Sequence, residues 1–133
     1  MIDWALYPNF SEEEFKCSAT SLCRMEPEFL DALQTLRTNF GQPLRITSGY
    51  RDAAHPIEHA KRYPGVHSFG IAADMAVSHG KAYDLLSLAM AMKVFTGIGI
   101  KQSGAFTQRF IHLDTATYEN FRPDIVRPTV WSY

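Results

Sequence analysis

Between Glu26 and Phe40 the apolar residues Phe29, Leu33, Leu36 and Phe40 recur at intervals of three and four, the spacing that lines side chains along one helix face. Pro27 suits a first turn, where its missing N–H costs nothing, and Gly41 supplies a stop, so a helix is predicted over 26–40. Upstream, Ser11 and Glu14 have the form of a capping box, in which each side chain satisfies a free backbone donor; a short helix should start there and end near Lys16. A second long helix is predicted over 80–94, where Ala, Leu and Met dominate and apolar residues cover most of the circumference.

The pattern changes period elsewhere. Leu44, Arg45, Ile46, Thr47 and Ser48 alternate apolar with polar, as a half-buried strand does, and Gly49 ends the run. Ile71 to Val77 reads as a buried strand, and 97–100 with 109–114 as two more around a turn at Gly104. The segment 52–64, with Pro56, Pro64, His55 and His59, reads as a loop with one helical turn, and the tail through Pro123 and Pro128 as irregular. Helices mixed with a few strands in this order predict an α+β fold with a small, mainly antiparallel sheet and flanking helices.

Composition narrows this further. With 133 residues, 46% of them hydrophobic, the chain can fill one core, so a single domain over 1–133 is expected. Thirteen basic against fourteen acidic residues leave a net charge of -1, with no basic excess to bind a nucleic-acid backbone. The longest apolar run, 85–94, is broken by Ser87 and Lys93 and falls well short of the ~20 residues that span a bilayer, so no membrane partner is expected. The amino terminus lacks the basic start and apolar run of an export signal. Cys17 and Cys23 are too few for a disulfide scaffold and read as buried thiols, with a single disulfide or a metal as the alternatives.

Two stretches could carry chemistry. In 67–74 an imidazole, His67, precedes Gly70, and a carboxylate, Asp74, sits inside an otherwise apolar strand beside the small Ala72 and Ala76. A buried carboxylate needs a partner, and a metal ion would supply one. In 110–114, strand alternation puts Phe110, His112 and Asp114 on one face and Ile111 with Leu113 on the other. Two histidines and one carboxylate with an open fourth position are the layout of a catalytic zinc site, although a strand histidine or aspartate taken singly is more often structural.

The series Ser48-Gly49-Tyr50-Arg51, then His67 with Gly70, Ala72 and Asp74, then Gly97-Ile98-Gly99, then Phe110-Ile111-His112 with Asp114 occurs in one order. It resembles the zinc D-alanyl-D-alanine carboxypeptidases and L-alanyl-D-glutamate endopeptidases, many of them bacteriophage or bacterial enzymes that cut peptidoglycan stem peptides. The tail with Arg127, Pro128, Trp131, Ser132 and Tyr133 is similar to the ending of short phage-type members, with no separate wall-binding domain left over.

The resemblance implies a fold of the hedgehog and D-Ala-D-Ala-peptidase kind. It further implies one zinc ion on His67, Asp74 and His112, and Arg51 gripping a substrate carboxylate, with Ser48 and Tyr50 beside it. Such an enzyme would act as a monomer on a wall peptide, and would reach the wall by host lysis or from a virion. Many members carry the catalytic acid or base three residues before the last ligand, where this chain has Arg109, which cannot accept a proton. Asp114 is then the expected general base, or else the group that orients His112. The departure at Arg109 keeps open a silent zinc module, as in the amino-terminal domain of hedgehog signalling proteins. Trp4, Tyr7, Trp131 and Tyr133 are expected to pin the termini to the body.

Overall fold

Alternation along three adjacent strands divides the sheet into an apolar face and a chemical one. The computed structural model describes residues 1–133, with strands β1 (Arg45–Ser48), β2 (Ala72–Ala76), β3 (Gly97–Lys101), β4 (Phe110–Asp114) and β5 (Thr129–Ser132). They form one sheet in the order β1-β2-β4-β3-β5; every pairing is antiparallel except β3 with β5, which is parallel. The α+β class and the mainly antiparallel sheet are therefore as expected. No helix is long and apolar enough to cross a membrane.

The apolar face carries Ala73 and Met75 from β2, Ile111 and Leu113 from β4, and Ile98 from β3, all in the core. Against it pack helices α2 (Pro27–Phe40) and α4 (His79–Met92). Phe29, Leu33, Leu36 and Phe40 of α2, the stripe that the sequence spacing predicted, are all buried, and Leu30 joins them. Gly41 closes α2 in a left-handed conformation with φ 69°, its N–H donating to the Arg37 carbonyl. The capping box at Ser11 forms and starts α1 (Glu12–Phe15). α4 buries only Ala82, Leu85 and Ala89, so much of its apolar circumference, including Tyr83 and Met90, stays exposed. The single turn expected within 52–64 is α3 (Pro56–His59), and Cys17 and Cys23 are both free thiols.

The tail departs from expectation. Thr129–Ser132 is no irregular segment but the edge strand β5, added alongside β3. Pro128 precedes the strand, where a missing N–H costs no ladder bond, and the strand is identified by its parallel pairing with β3. A second feature invisible in sequence is a bulge in β1. Ile46 pairs with Met75 but Ser48, not Thr47, pairs with Asp74, which turns Ser48 toward the chemical face.

Candidate metal centre

The register assembles the chemical face. Ser48 pairs with Asp74, Asp74 with His112, His112 with Gly99 and Gly99 with Trp131, so one row crosses all five strands. In the neighbouring row Ala72 pairs with Asp114, Asp114 with Gly97 and Gly97 with Thr129. Directly paired residues in a sheet lie within about 5.5 Å at their Cα atoms, so Asp74 and His112 are side by side although 38 residues separate them in sequence. His67 comes from a different element, a 3₁₀ turn over Val66–Phe69 that precedes β2.

One donor atom from each of His67, Asp74 and His112 lies within 4.8 Å of the others, and all three residues are buried. Asp74 Oδ1 is 2.9 Å from His112 Nδ1 and 3.4 Å from His67 Nε2. The outward nitrogen of each ring is already committed. His67 Nδ1 lies 2.7 Å from the Gly49 carbonyl, which can only accept, so that nitrogen carries the proton. His112 Nε2 lies 2.8 Å from Asp114 Oδ2, which likewise accepts. The inner nitrogen of each ring faces the Asp74 carboxylate, donating to it when it carries a proton and offering a lone pair when it does not. Two imidazole nitrogens and one carboxylate oxygen converge in a buried space, a donor set that suits zinc, which would take the place of the inner protons.

Charge within the cluster follows from these contacts. Burial works to raise the Asp74 carboxyl, but the bonds and charges of His112 and His67 outweigh it and hold the group well below the usual carboxylate range. Burial works to lower His112, yet Asp114 and Asp74 on its two sides prevail and raise it. This sets a pH dependence with a definite sign. Below its raised pKa the His112 ring is protonated and zinc must displace a proton, so zinc affinity is expected to rise by about tenfold per pH unit and to level off above that pKa. In zinc-free protein the same group acts in the opposite sense. Its contribution to stability is complete below the unfolded histidine value and is lost as pH rises through the folded one. Zinc titrations and thermal melts over stepped pH check both slopes.

The surroundings of Asp114 bear on both of its expected roles. Asp114 is fully buried and accepts four hydrogen bonds: from Ala116 N at 3.2 Å and Arg127 Nε at 3.0 Å on Oδ1, and from His112 Nε2 and Arg127 Nη2, both at 2.8 Å, on Oδ2. Burial would raise this carboxyl, but His112 and Arg127 lower it to about 2. It stands on the far side of the His112 ring from Asp74, so it is not placed to take a proton inside the cluster. Its bond to His112 Nε2 suits the expected role of orienting that ring. Arg109 is turned away, its guanidinium donating to the Gly104 carbonyl at 2.9 and 3.1 Å.

Arg51 does reach the cluster. Its Nη2 lies 3.6 Å from Asp74 Oδ2, its Nη1 3.4 Å from Glu58 Oε2, and its Nε donates to Ser48 Oγ at 3.2 Å. Glu58 is 2% exposed and ties the 52–64 loop together, accepting from Gly65 N at 2.7 Å, Lys61 Nζ at 2.9 Å and Ser68 Oγ at 3.2 Å. Burial opposes its charge, but these donors and Arg51 bring it down to about 2. Tyr50, expected at the substrate, is 5% exposed and belongs to the core, with its hydroxyl 3.4 Å from Asp52. His55 caps α3, its Nδ1 accepting from Ile57 N.

The terminal aromatics divide. Trp4 packs on Phe15 and Tyr7, and the Tyr7 hydroxyl donates to Asp31 at 2.7 Å, so these two do hold the amino terminus to the body. Trp131 pins the carboxy terminus through its pairing with Gly99, and its ring also reaches the centre, 5.2 Å from the His112 ring. Tyr133 stacks on Phe110 at 5.0 Å, and its phenol is raised chiefly by burial and in part by the nearby Asp74 charge. Sequence reading missed Arg127 as a partner of Asp114; the only local trace was the glycine pair in β3, which leaves room for both Asp114 and Trp131.

A family model described as Peptidase M15 matches residues 8–114, a span that includes every residue of the cluster. No curated protein matches the chain.

Proposed function

The chain belongs to the peptidase M15 family of zinc-dependent metallopeptidases, and we propose that it hydrolyses a peptide bond in peptidoglycan stem peptides, of the D-Ala-D-Ala carboxypeptidase or L-Ala-D-Glu endopeptidase type. The observation that carries the reading is the buried convergence of His67 Nε2, Asp74 Oδ1 and His112 Nδ1, with the outer nitrogen of each ring tied to an acceptor. These three residues would hold one zinc ion. When bound, zinc supplies a Lewis acid that polarises a carbonyl and acidifies water.

The remaining roles belong to the chain's own side chains. Arg51 binds a substrate carboxylate through the guanidinium N–H groups that Ser48, Glu58 and Asp74 leave free, and Ser48 and Glu58 keep that plane aimed. Asp114 holds the His112 ring in place, and Trp131 shields it from water on one side. Tyr50 supports the turn that delivers Arg51 from within the core. The reading extends to wall degradation of the bacteriophage endolysin kind, with one chain as the working unit.

A second reading draws on Arg109. No carboxylate occupies the position where many relatives carry a base, which suits a zinc module without turnover. Zinc-loaded protein incubated with synthetic stem peptides, followed by mass spectrometry of the products, separates the two. The enzyme should release one product pair, stop on chelation and resume when zinc is returned. Tight zinc with no cleavage would favour the silent module, and no zinc uptake would defeat both.

A further inference from the structure

Asp114 accepts four hydrogen bonds, and two of them come from one residue, Arg127. The Nε and Nη2 donors of Arg127 meet Oδ1 and Oδ2 separately, at 3.0 and 2.8 Å, the parallel two-bond contact in which a guanidinium fixes both the position and the plane of a carboxylate. That plane decides where Oδ2 sits and therefore how the His112 ring is turned.

The chain makes room for this contact at some cost to freedom elsewhere. A Cβ on Gly97 would run into the Asp114 carboxylate, and one on Gly99 would lie 2.7 Å from Trp131 Nε1. Arg127 in turn lies over the Trp131 ring, with its guanidinium carbon 5.2 Å from the ring centre, and Trp131 stands 5.2 Å from His112. His112, Asp114, Arg127 and Trp131 thus close a ring of contacts around the imidazole, and the tail supplies half of it.

We propose that Arg127 is a positioning residue for the metal centre, acting through Asp114 to keep His112 Nε2 as the donor and His112 Nδ1 turned toward Asp74 and His67. The inference rests on the reading of the cluster as a zinc site. It gives the carboxy-terminal strand a task in metal binding: β5 and the residue before Pro128 hold the last ligand from behind. An arginine that only closed the sheet edge would affect folding stability and leave zinc affinity per folded molecule unchanged.

Two substitutions test this, Arg127→Gln, which keeps reach and removes the charge, and Arg127→Lys, which keeps charge and loses the fork. Zinc affinity by chelator competition and melting of the zinc-free protein are measured side by side, with ring ¹⁵N signals of His112 recorded in the zinc-loaded forms. Arg127→Gln should weaken zinc by about tenfold or more, Arg127→Lys by less, and the His112 Nε2–H signal should broaden or shift in the same order. If Arg127→Gln does not fold, the loss in Arg127→Lys relative to wild type carries the comparison. Wild-type zinc uptake with unaltered affinity and ring signals in the folded variants overturns the inference alone. A wild-type chain that takes up no zinc overturns the metal-centre reading and this inference with it.

Discussion

Replacing Asp74 by Ala is expected to take the zinc content from about one ion per chain to essentially none and to lower peptide hydrolysis by at least about 10³-fold. The physical reason is that Asp74 is the only anion among the three donors, and its Oδ1 is the atom that His112 Nδ1 and His67 Nε2 both face. Without it two neutral imidazoles remain, too few to hold zinc firmly, and the Lewis acidity worth several kcal/mol in such enzymes is lost. Arg51 loses a neighbour as well, since its Nη2 faces Asp74 Oδ2, and would be left to Ser48 and Glu58. Asp74→Asn separates charge from shape, because it keeps the size of the side chain. Both variants should lose metal while the zinc-free fold persists, as read by plasma mass spectrometry and circular dichroism. Stoichiometric zinc in Asp74→Ala would show that the ion sits elsewhere.

The second large effect is expected at Gly70, which lies three residues after His67. Its φ of 71° is left-handed, and a Cβ there would run into the Arg24 backbone carbonyl. Neither party can yield cheaply, because the Gly70 carbonyl accepts from Glu26 N at 2.9 Å and so locks the turn to the residues that open α2. The left-handed conformation costs about 1–2 kcal/mol for an L-residue and overpacking about 1–3 kcal/mol more, so Gly70→Ala should destabilise the protein by about 2–5 kcal/mol. Any folded fraction should bind zinc less tightly, since the displaced turn carries His67. Denaturant unfolding measures the first effect and metal competition the second. A change below about 0.5 kcal/mol would mean that the turn can be rebuilt around a methyl group, and Gly70 would then be no constraint on the site.

Much of this was legible in the chain because local patterns have local causes. The capping box at Ser11, the stripe of Phe29, Leu33 and Leu36, and the stop at Gly41 each involve residues within a few positions of one another, where backbone geometry alone dictates the outcome. Strand parity is equally local. It put His112 and Asp114 on one face and Ile111 with Leu113 on the other, and the structure agrees, with the second pair in the core. An isolated carboxylate inside Ile71 to Val77 was the clearest chemical signal, because an unpartnered charge in a buried strand needs an explanation.

The sequence by itself therefore determined the order of the main helices and strands as far as β4, the faces of β2 and β4, the family likeness and the three candidate ligands. Only the tertiary structure decided how those pieces work together. The pairing of Asp74 with His112, the bulge that turns Ser48 toward them and the approach of the Gly49 carbonyl to His67 all join residues far apart in the chain, and no local periodicity encodes register. The same holds for Asp114. Parity predicted its face, but its surroundings depended on Arg127 arriving from the tail and bonding both oxygens, which no local pattern announces. Trp131 changed meaning for a like reason: the pairing of β5 beside β3 joins segments about thirty residues apart, and that place is what brings the ring to the metal centre.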